Sequence, residues 1–372
     1  MELYIERLSS TLTDISRKKL KEIKLPKLQD KFKCFKLKNL VDNMLIAFKN
    51  EIEMKMITPM NIDQLKKLFI NFDIKFNHDT PSYFQIEIAK MNYTYSFELM
   101  VNKGIIKIHF LGTAKGEEKL TPTGYMASIL HAINTFVNMY QYDYRGLVIY
   151  ISLDSNVRTI DKFNVCGVTI RSDHLIILTR SQEIIKLLFH ELVHYIDLHS
   201  GLNPLPSRNF KLNIVNELIL TSEVYAEFMS ILLNTAYESI HLSRIINLPV
   251  YQIFQWTLEA EIHYSIYLTA NILKLYQYDV NNYKDFFNMK GDQKYCRISI
   301  WEYVVLRTQL LLNLDLVCNL VDANWTNIHD INQMTDLMKP TDKMIYPLKE
   351  YMTMEFSRNV PYTLINLDWN LV

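Results

Sequence analysis

The amino-acid sequence predicts an α+β fold that is predominantly α-helical. From Glu183 onward, apolar residues recur almost throughout with the spacing of one helix face. Between Tyr83 and Leu111, apolar and polar residues alternate instead, which is typical of strands. The chain has 372 residues, of which 49% are hydrophobic, so it can bury a large core in two or three domains, or in one large domain with extensions.

The first part of the chain, up to residue 80, is predicted to be helical. Residues 17–40 carry ten basic side chains against only two acidic ones, Glu22 and Asp30, with apolar residues in between. Such a basic amphipathic segment can lie on an anionic surface or on a partner. More often it is a helix that turns its lysines to solvent, and we favour that interpretation.

The middle of the chain is predicted to form an antiparallel meander and then further strands. Asn102-Lys103-Gly104 supplies the turn of a hairpin. A helix is expected around residues 125–140, and long apolar helices are expected at 254–276 and 298–321. The predicted strands are residues 83–88, 93–101, 105–110, 147–153, 163–170 and 174–179.

Residues 190–194 read His-Glu-Leu-Val-His, which is the most informative motif of the chain. On a helix, His190 and His194 project from one face, and two imidazoles so placed can hold one Zn²⁺ at about 2.0–2.1 Å each. Glu191 then points beside the metal, where a general base can take a proton from water. The alternative is a chance pentad whose histidines are hydrogen-bonded core residues.

The residues around the pentad predict a buried helix. Ser181 is the expected N-cap and Gly201 the expected residue after the last turn, which gives a helix of about twenty residues with the pentad near its middle. Asp197 lies on the same face as the histidines and is a candidate to orient His194 without touching the metal. The alternative for Asp197 is a solvent-facing acid near the helix end.

A second helical stretch at residues 216–228 is expected to supply the third ligand. Glu223 and Glu227 are four residues apart there and therefore share one face. Two carboxylates on an otherwise apolar helix are costly to bury unless they meet a metal ion or a hydrogen-bond donor. Two histidines and a glutamate, with water as the fourth ligand, form a known catalytic zinc site. Spacing alone leaves open which glutamate is the ligand.

The HExxHxxD run and the later Glu-Val-Tyr-Ala-Glu-Phe segment resemble the catalytic domain of the anthrax lethal factor-like zincins, a branch of the gluzincin metallopeptidases. The resemblance covers residues 174–230. The roles that it implies are zinc ligand for His190, His194 and Glu223, general base for Glu191, and support of the ligands for Glu227. It also implies that the strand beside the metal helix lies at the sheet edge, where an extended substrate can pair.

The resemblance further implies a zincin-like core, in which a small antiparallel or mixed sheet carries the HExxH helix and the glutamate helix. We accordingly expect a helical N-terminal region at 1–80, this core at 81–240 and a helical C-terminal region at 241–372. In the family, a tyrosine shortly before the third ligand stabilises the oxyanion. No tyrosine lies between Leu212 and Leu220 here, so Tyr195 and Tyr225 are the candidates to replace it.

Two functions are therefore expected, and the first is favoured. It is a zinc metalloendopeptidase that hydrolyses a protein or peptide with water. The alternative is a self-assembling viral structural protein, occlusion-body or capsid-associated, on a zincin-derived scaffold with little or no catalysis. The 40 basic and 40 acidic residues balance, which argues against nucleic-acid binding and favours self-association. The 23 tyrosines and the apolar segment 362–369 are compatible with assembly.

Targeting signals are not expected in this sequence. The first residues carry acids where a signal peptide has basic and then apolar residues, and the apolar runs are too short to span a bilayer. If the protein is viral, the cytoplasm or nucleus of the host cell is the expected location. The widely spaced Cys34, Cys166, Cys296 and Cys318 are expected to be free thiols, and disulfides formed after release are the alternative.

Overall fold

The structure is a computed structural model, and it describes residues 18, 34–59, 61–67, 90–102, 104–112, 125–152, 167–180, 182–215, 218–294, 300–357, 360–365 and 367. These residues form two compact units. Those from 44 to 196 form one, the sheet unit, and those before 44 and after 196 form the other, the helical unit. The fold class is α+β and predominantly helical, as predicted.

The sheet unit contains six strands and two main helices. In chain order, its elements are β1 (Met54–Ile57), β2 (Tyr93–Val101), β3 (Gly104–Gly112), α2 (Tyr125–Met139), β4 (Val148–Ser152), β5 (Gly167–Ile170), β6 (Leu175–Leu178) and α3 (Ile184–Tyr195). Helix α1 (Phe35–Phe48) precedes them, and the chain passes into the sheet unit within it.

The six strands form one mixed sheet in the order β1-β2-β3-β4-β6-β5. The predicted β2–β3 hairpin is confirmed, with Tyr93 opposite Gly112 and Val101 opposite Gly104. β3, β4 and β6 run parallel, and β5 pairs antiparallel with β6. Two expectations were wrong: β1 lies in a region predicted to be entirely helical, and the strand just before α3, β6, lies inside the sheet while β5 is at its edge. The predicted strand at 83–88 falls outside the described residues.

Side chains alternate between the two faces of the sheet along each strand, and both faces are buried. One face, which includes Ile108 and Phe110, is covered by α2 and α3, whose Phe136 and Phe189 stack at 6.0 Å between ring centroids. The other face forms a second cluster of buried residues: Leu65, Met91, Leu111, Tyr150, Leu175 and Ile177. Because both faces are covered, the central parallel strands β3, β4 and β6 carry apolar side chains on both sides.

The helical unit is built around two long helices that pack together, α4 (Thr221–Ile246) and α5 (Val250–Leu275), with 26 residues each. Its other elements are the two-stranded pair β7 (Leu205–Pro206) and β8 (Leu218–Ile219), α6 (Tyr283–Phe287), a π-helix (Trp301–Leu306), α7 (Arg307–Leu312), α8 (Leu314–Leu320), α9 (Ile331–Leu337) and α10 (Asp342–Met352). The single helix predicted at 298–321 is therefore wrong, because this stretch divides into three pieces. No helix among the described residues is long and apolar enough to cross a membrane.

The C-terminal segment is buried in the helical unit. Leu364 and Ile365 are 0% exposed, and their backbone N–H groups donate to the carboxylate of Glu261 at 3.0 and 2.7 Å. The hydroxyl of Thr363 also donates to Glu261. This part of the apolar segment 362–369 thus packs within its own unit. Of the basic segment at 17–40, only Lys18 and residues 34–40 are among the described residues, so the interpretation of the whole segment as one helix stays a prediction.

A disulfide joins Cys34 to Cys318, which are 284 residues apart in sequence. The expectation of free thiols was wrong for this pair. The same junction is reinforced by two hydrogen bonds, from Lys36 Nζ to the Val321 carbonyl at 2.6 Å and from Trp325 Nε1 to the Lys36 carbonyl at 2.9 Å. Three contacts thus tie the start of α1 to the end of α8 and to the segment that follows it. Cys166 and Cys296 fall outside the described residues.

Candidate metal centre

The pentad lies towards the C-terminal end of α3, which has 12 residues and not the predicted twenty or so. The helix starts late because Glu183, just before it, has a left-handed backbone with φ 58°. Glu183 is held there by a buried ion pair, with its Oε2 3.1 Å from Arg180 Nη2. After the helix, Asp197 is also left-handed, with φ 60°, and the chain turns away. Ser181, the predicted N-cap, falls outside the described residues.

His190 and His194 face each other across one turn of α3. Their Nε2 atoms are 3.1 Å apart, and their ring centroids are 4.7 Å apart. Two Zn–N bonds of about 2.05 Å at the tetrahedral angle would separate the two nitrogens by roughly 3.3 Å. The geometry is therefore close to that of a chelating pair. An N–H···N hydrogen bond between two neutral rings is the alternative for the same distance.

Glu191 is 4% exposed and is held by the edge strand β5. The hydroxyl of Thr169 donates to the Glu191 carboxylate, with 2.7 Å between Thr169 Oγ1 and Oε2, and it also lies 2.9 Å from the backbone carbonyl of Glu191. Gly167, two residues earlier on the same face of β5, lies against the same carboxylate: a Cβ added to it would be 2.8 Å from Cδ of Glu191 and closer still to Oε1. The side chain that sequence spacing predicts as the base is thus fixed in place.

Glu223 lies in the first turn of α4, as predicted from the second helical stretch, although that helix begins at Thr221. The N-cap residue Leu220 donates its backbone N–H to Oε1 of Glu302 at 3.3 Å, so the start of α4 is anchored to the π-helix. Glu227, one turn further, is buried and pairs with Arg307 at 3.1 Å between Oε1 and Nη1.

His190 and His194 on α3 offer two imidazole nitrogens to one metal ion, and Glu223 in the first turn of α4 stays the predicted third ligand. Imidazole nitrogens and a carboxylate oxygen are the donor set of an open catalytic zinc site. The residues present therefore fit zinc in both type and number.

The other predicted site residues have identified contacts. The Tyr195 hydroxyl lies 2.9 Å from Nδ1 of His174, and burial raises the pKa of Tyr195 to about 12. Tyr225 is fully buried, which raises the pKa of its phenol above the usual range, and its ring lies 6.0 Å from that of Phe228. Asp197 Oδ1 lies 3.3 Å from Nδ1 of His199. The roles predicted for Tyr195, Tyr225 and Asp197 in the site stay predictions.

Sequence reasoning missed Thr169 and Gly167 as functional candidates. The only available signal was their spacing of two in a predicted strand, which places both on one face of β5. Nothing in the sequence says that this face meets Glu191, because the two segments are separated by 22 residues and a further strand.

Comparison with known proteins identifies a relative that matches nearly the full chain. No family profile and no solved structure matches. The chain is 37% identical over 385 residues to a protein of Acanthamoeba polyphaga mimivirus described as "Uncharacterized protein R210", and the match covers 97% of this chain and 98% of the relative. The similarity thus extends over both proteins nearly in full. The chain belongs to the family of this mimivirus protein.

Proposed function

We propose that this protein is a zinc-dependent endopeptidase whose metal ligands are His190, His194 and Glu223. The observation that carries the proposal is the 3.1 Å distance between the Nε2 atoms of His190 and His194, because chelation of one ion needs nearly that separation. A zinc ion held there would supply Lewis-acid activation of water and of the scissile carbonyl.

Glu191 is the general base in this proposal. It follows His190 directly on α3, and its carboxylate is buried and held by Thr169. It would take the proton from the attacking water and deliver it to the nitrogen of the departing amine, so that the proton removed in the first step is returned in the second. A fixed carboxylate suits this role, since proton transfer depends on hydrogen-bond geometry.

The substrate that we propose is a protein or peptide in extended form. β5 is the edge strand of the six-stranded sheet, and it packs directly on α3. An edge strand presents backbone N–H and C=O groups that can pair with an added strand. An extended chain paired there would pass beside the helix that carries the histidines and Glu191.

We also propose that the protein associates with other copies of itself and that it acts inside an infected host cell. The relative is viral, which supports action inside an infected host cell, in the cytoplasm or the nucleus. The balance of 40 basic and 40 acidic residues lowers the electrostatic barrier to association between copies.

The test is zinc content together with hydrolysis of an unfolded protein, with fluorescein-labelled casein as the probe. Wild type should carry about one zinc per chain and cleave casein, because the three ligands form a complete site. Glu191→Gln should retain zinc and lose nearly all hydrolysis, and Glu223→Ala should lose both. His329→Ala and Glu350→Gln, which change exposed residues of the same types, serve as controls. Casein cleavage by the Glu191→Gln variant at the wild-type rate would contradict the proposal.

A further inference from the structure

Strand β5 presents two consecutive same-face residues to one carboxylate. In a strand, residues two apart point to the same side. Val168 and Ile170 pack against the buried cluster on one face of the sheet, so Gly167 and Thr169 point to the other face, which α3 covers. Both contact Glu191, the second residue of the pentad.

Thr169 fixes Glu191 at two points. Its hydroxyl lies 2.7 Å from Oε2 of the side chain and 2.9 Å from the backbone carbonyl oxygen of the same residue. A threonine hydroxyl has one proton to donate, which the two acceptors share. A donor aimed at a charged acceptor makes a stronger hydrogen bond than one between neutral groups. Thr169 therefore ties the carboxylate to the helix turn that carries it.

Gly167 provides the space that the carboxylate occupies. An added Cβ would lie 2.8 Å from Cδ and 2.9 Å from Cγ of Glu191, which is closer than carbon atoms approach without displacement. Any other residue at 167 would have to push the Glu191 side chain away. The absence of a side chain at 167 and the hydroxyl at 169 thus define one position for the carboxylate.

We propose that Thr169 and Gly167 are positioning residues for Glu191, holding its carboxylate in the orientation from which it exchanges protons with water. This inference rests on the proposed function. Neither residue acts on the substrate; each acts through Glu191. A misplacement on the order of 1 Å can lower a rate by roughly 10²-fold, so loss of the hydroxyl should lower kcat far more than it changes KM.

The experiment compares Thr169→Val, Thr169→Ser and Gly167→Ala in steady-state hydrolysis of fluorescein-labelled casein. Thr169→Val keeps the side-chain shape without the donor and should lower kcat by about tenfold or more, with KM within about twofold. Thr169→Ser restores the hydroxyl and should recover most of kcat. Gly167→Ala should lower kcat while zinc content stays at the wild-type level. Thr353→Val, the same substitution at an exposed threonine outside the site, is the matched control and should keep wild-type kcat.

A second measurement tests the contact without using activity. Urea midpoints are measured for wild type, Thr169→Val, Glu191→Ala and the double variant, all without metal. If Thr169 holds Glu191, Thr169→Val should shift the midpoint less in the Glu191→Ala background than in wild type, because the acceptor is gone. Equal shifts in both backgrounds would overturn the inference even if casein is not cleaved.

The two proposals fail in different ways. Cleavage by wild type with an unchanged kcat in Thr169→Val would overturn the positioning role and leave the endopeptidase in place. Absence of zinc and of cleavage in wild type would overturn the endopeptidase, and with it the proton-transfer part of this inference. In that case the urea measurement still decides whether β5 holds the carboxylate.

Discussion

The carboxylate of Glu227 and the guanidinium of Arg307 meet at 3.1 Å in the interior of the helical unit, with side-chain exposures of 2% and 0%. Arg307 also donates to the Tyr362 carbonyl at 2.9 Å and to the Ser265 hydroxyl at 3.1 Å. This arginine therefore joins α4, α5 and the C-terminal segment.

The first prediction concerns this pair. Arg307→Ala should lower the free energy of unfolding by about 3–5 kcal/mol, because it leaves the buried Glu227 carboxylate without its counter-charge. The matched control is the exposed pair of Lys339 and Asp336, at 2.6 Å, where Lys339→Ala should cost less than about 1 kcal/mol. Urea denaturation of both variants measures the difference. An equal loss of unfolding free energy in the two variants would show that burial does not make the Glu227–Arg307 pair more important for stability than an exposed pair.

The second prediction concerns the histidine pair. Zinc at roughly a thousand times its dissociation constant should stabilise the wild type by about 4 kcal/mol, since the ion binds the folded site and not the unfolded chain. His194→Ala removes one ligand and should abolish most of this gain, measured as the rise in Tm on adding zinc. His329→Ala, at an exposed histidine, should keep it. A zinc-dependent rise in Tm that persists in His194→Ala would place the zinc elsewhere.

The third prediction concerns the disulfide between Cys34 and Cys318. Its reduction should destabilise the helical unit by about 2–4 kcal/mol, because the cross-link closes a loop of 284 residues and restricts the unfolded chain. The measurement is the urea midpoint with and without a thiol reductant. The Cys34→Ser, Cys318→Ser double variant is the control and should show no response to the reductant at this site. A wild type that is equally insensitive would mean that the cross-link contributes no stability.

The fourth prediction concerns pH and His109. This side chain is 3% exposed, lies 2.8 Å from the hydroxyl of Ser96 through Nδ1, and has its pKa lowered to about 4 by burial and then by the charge of Lys107. The unfolded histidine, with a pKa near 6.5, binds a proton more readily than the folded one. Stability should therefore fall as the pH drops from about 6.5 towards 4.

At pH 4.5 the loss from His109 should be roughly 2–3 kcal/mol relative to pH 7. Other groups titrate over the same range, so the informative quantity is the difference between wild type and His109→Gln, which lacks the titrating ring. The variant should lose less stability than the wild type between the two pH values. Parallel pH profiles would show that His109 is protonated as easily in the folded protein as in the unfolded one.

Local periodicity was enough to predict part of the fold closely. β2 was predicted at 93–101 and occupies Tyr93–Val101, and α2 was predicted around 125–140 and occupies Tyr125–Met139. β1 was missed because it has only four residues, mostly exposed, and an alternation this short does not distinguish a strand from a turn of helix. It is a strand because it pairs with β2, with Met54 opposite Leu99, and a sequence window around β1 does not contain that partner.

The interruption of the predicted helix at Asn313 coincides with a tertiary contact. Asn313, between α7 and α8, donates through its side chain to the Leu337 carbonyl at 3.1 Å and ends the helical run with φ −102° and ψ 20°. Apolar spacing continues across this point, so periodicity alone predicts one helix. The partner of Asn313 is 24 residues away and cannot be read from the spacing.

In the candidate site, too, local spacing predicts some features, whereas others depend on tertiary contacts. His190, Glu191 and His194 share one helix, so their spacing alone predicts how they are arranged. The contacts of Thr169 and Gly167 with Glu191 depend on which strand packs on that helix, and the sequence indicated the wrong edge strand. The sequence therefore predicts the candidate ligands and the candidate base, but it does not predict the residues that hold the base in position.

The buried clamp between Glu261 and residues 363–365 has a consequence for how the protein is made. The glutamate is synthesised about a hundred residues before the three donors that its carboxylate receives in the folded chain. Until those residues have left the ribosome, packing of α5 into the core would bury the Glu261 carboxylate without these hydrogen-bond donors. Such burial costs several kcal/mol. The helical unit is thus expected to complete its packing only after its last segment has been translated, and an interrupted chain would keep Glu261 in contact with water.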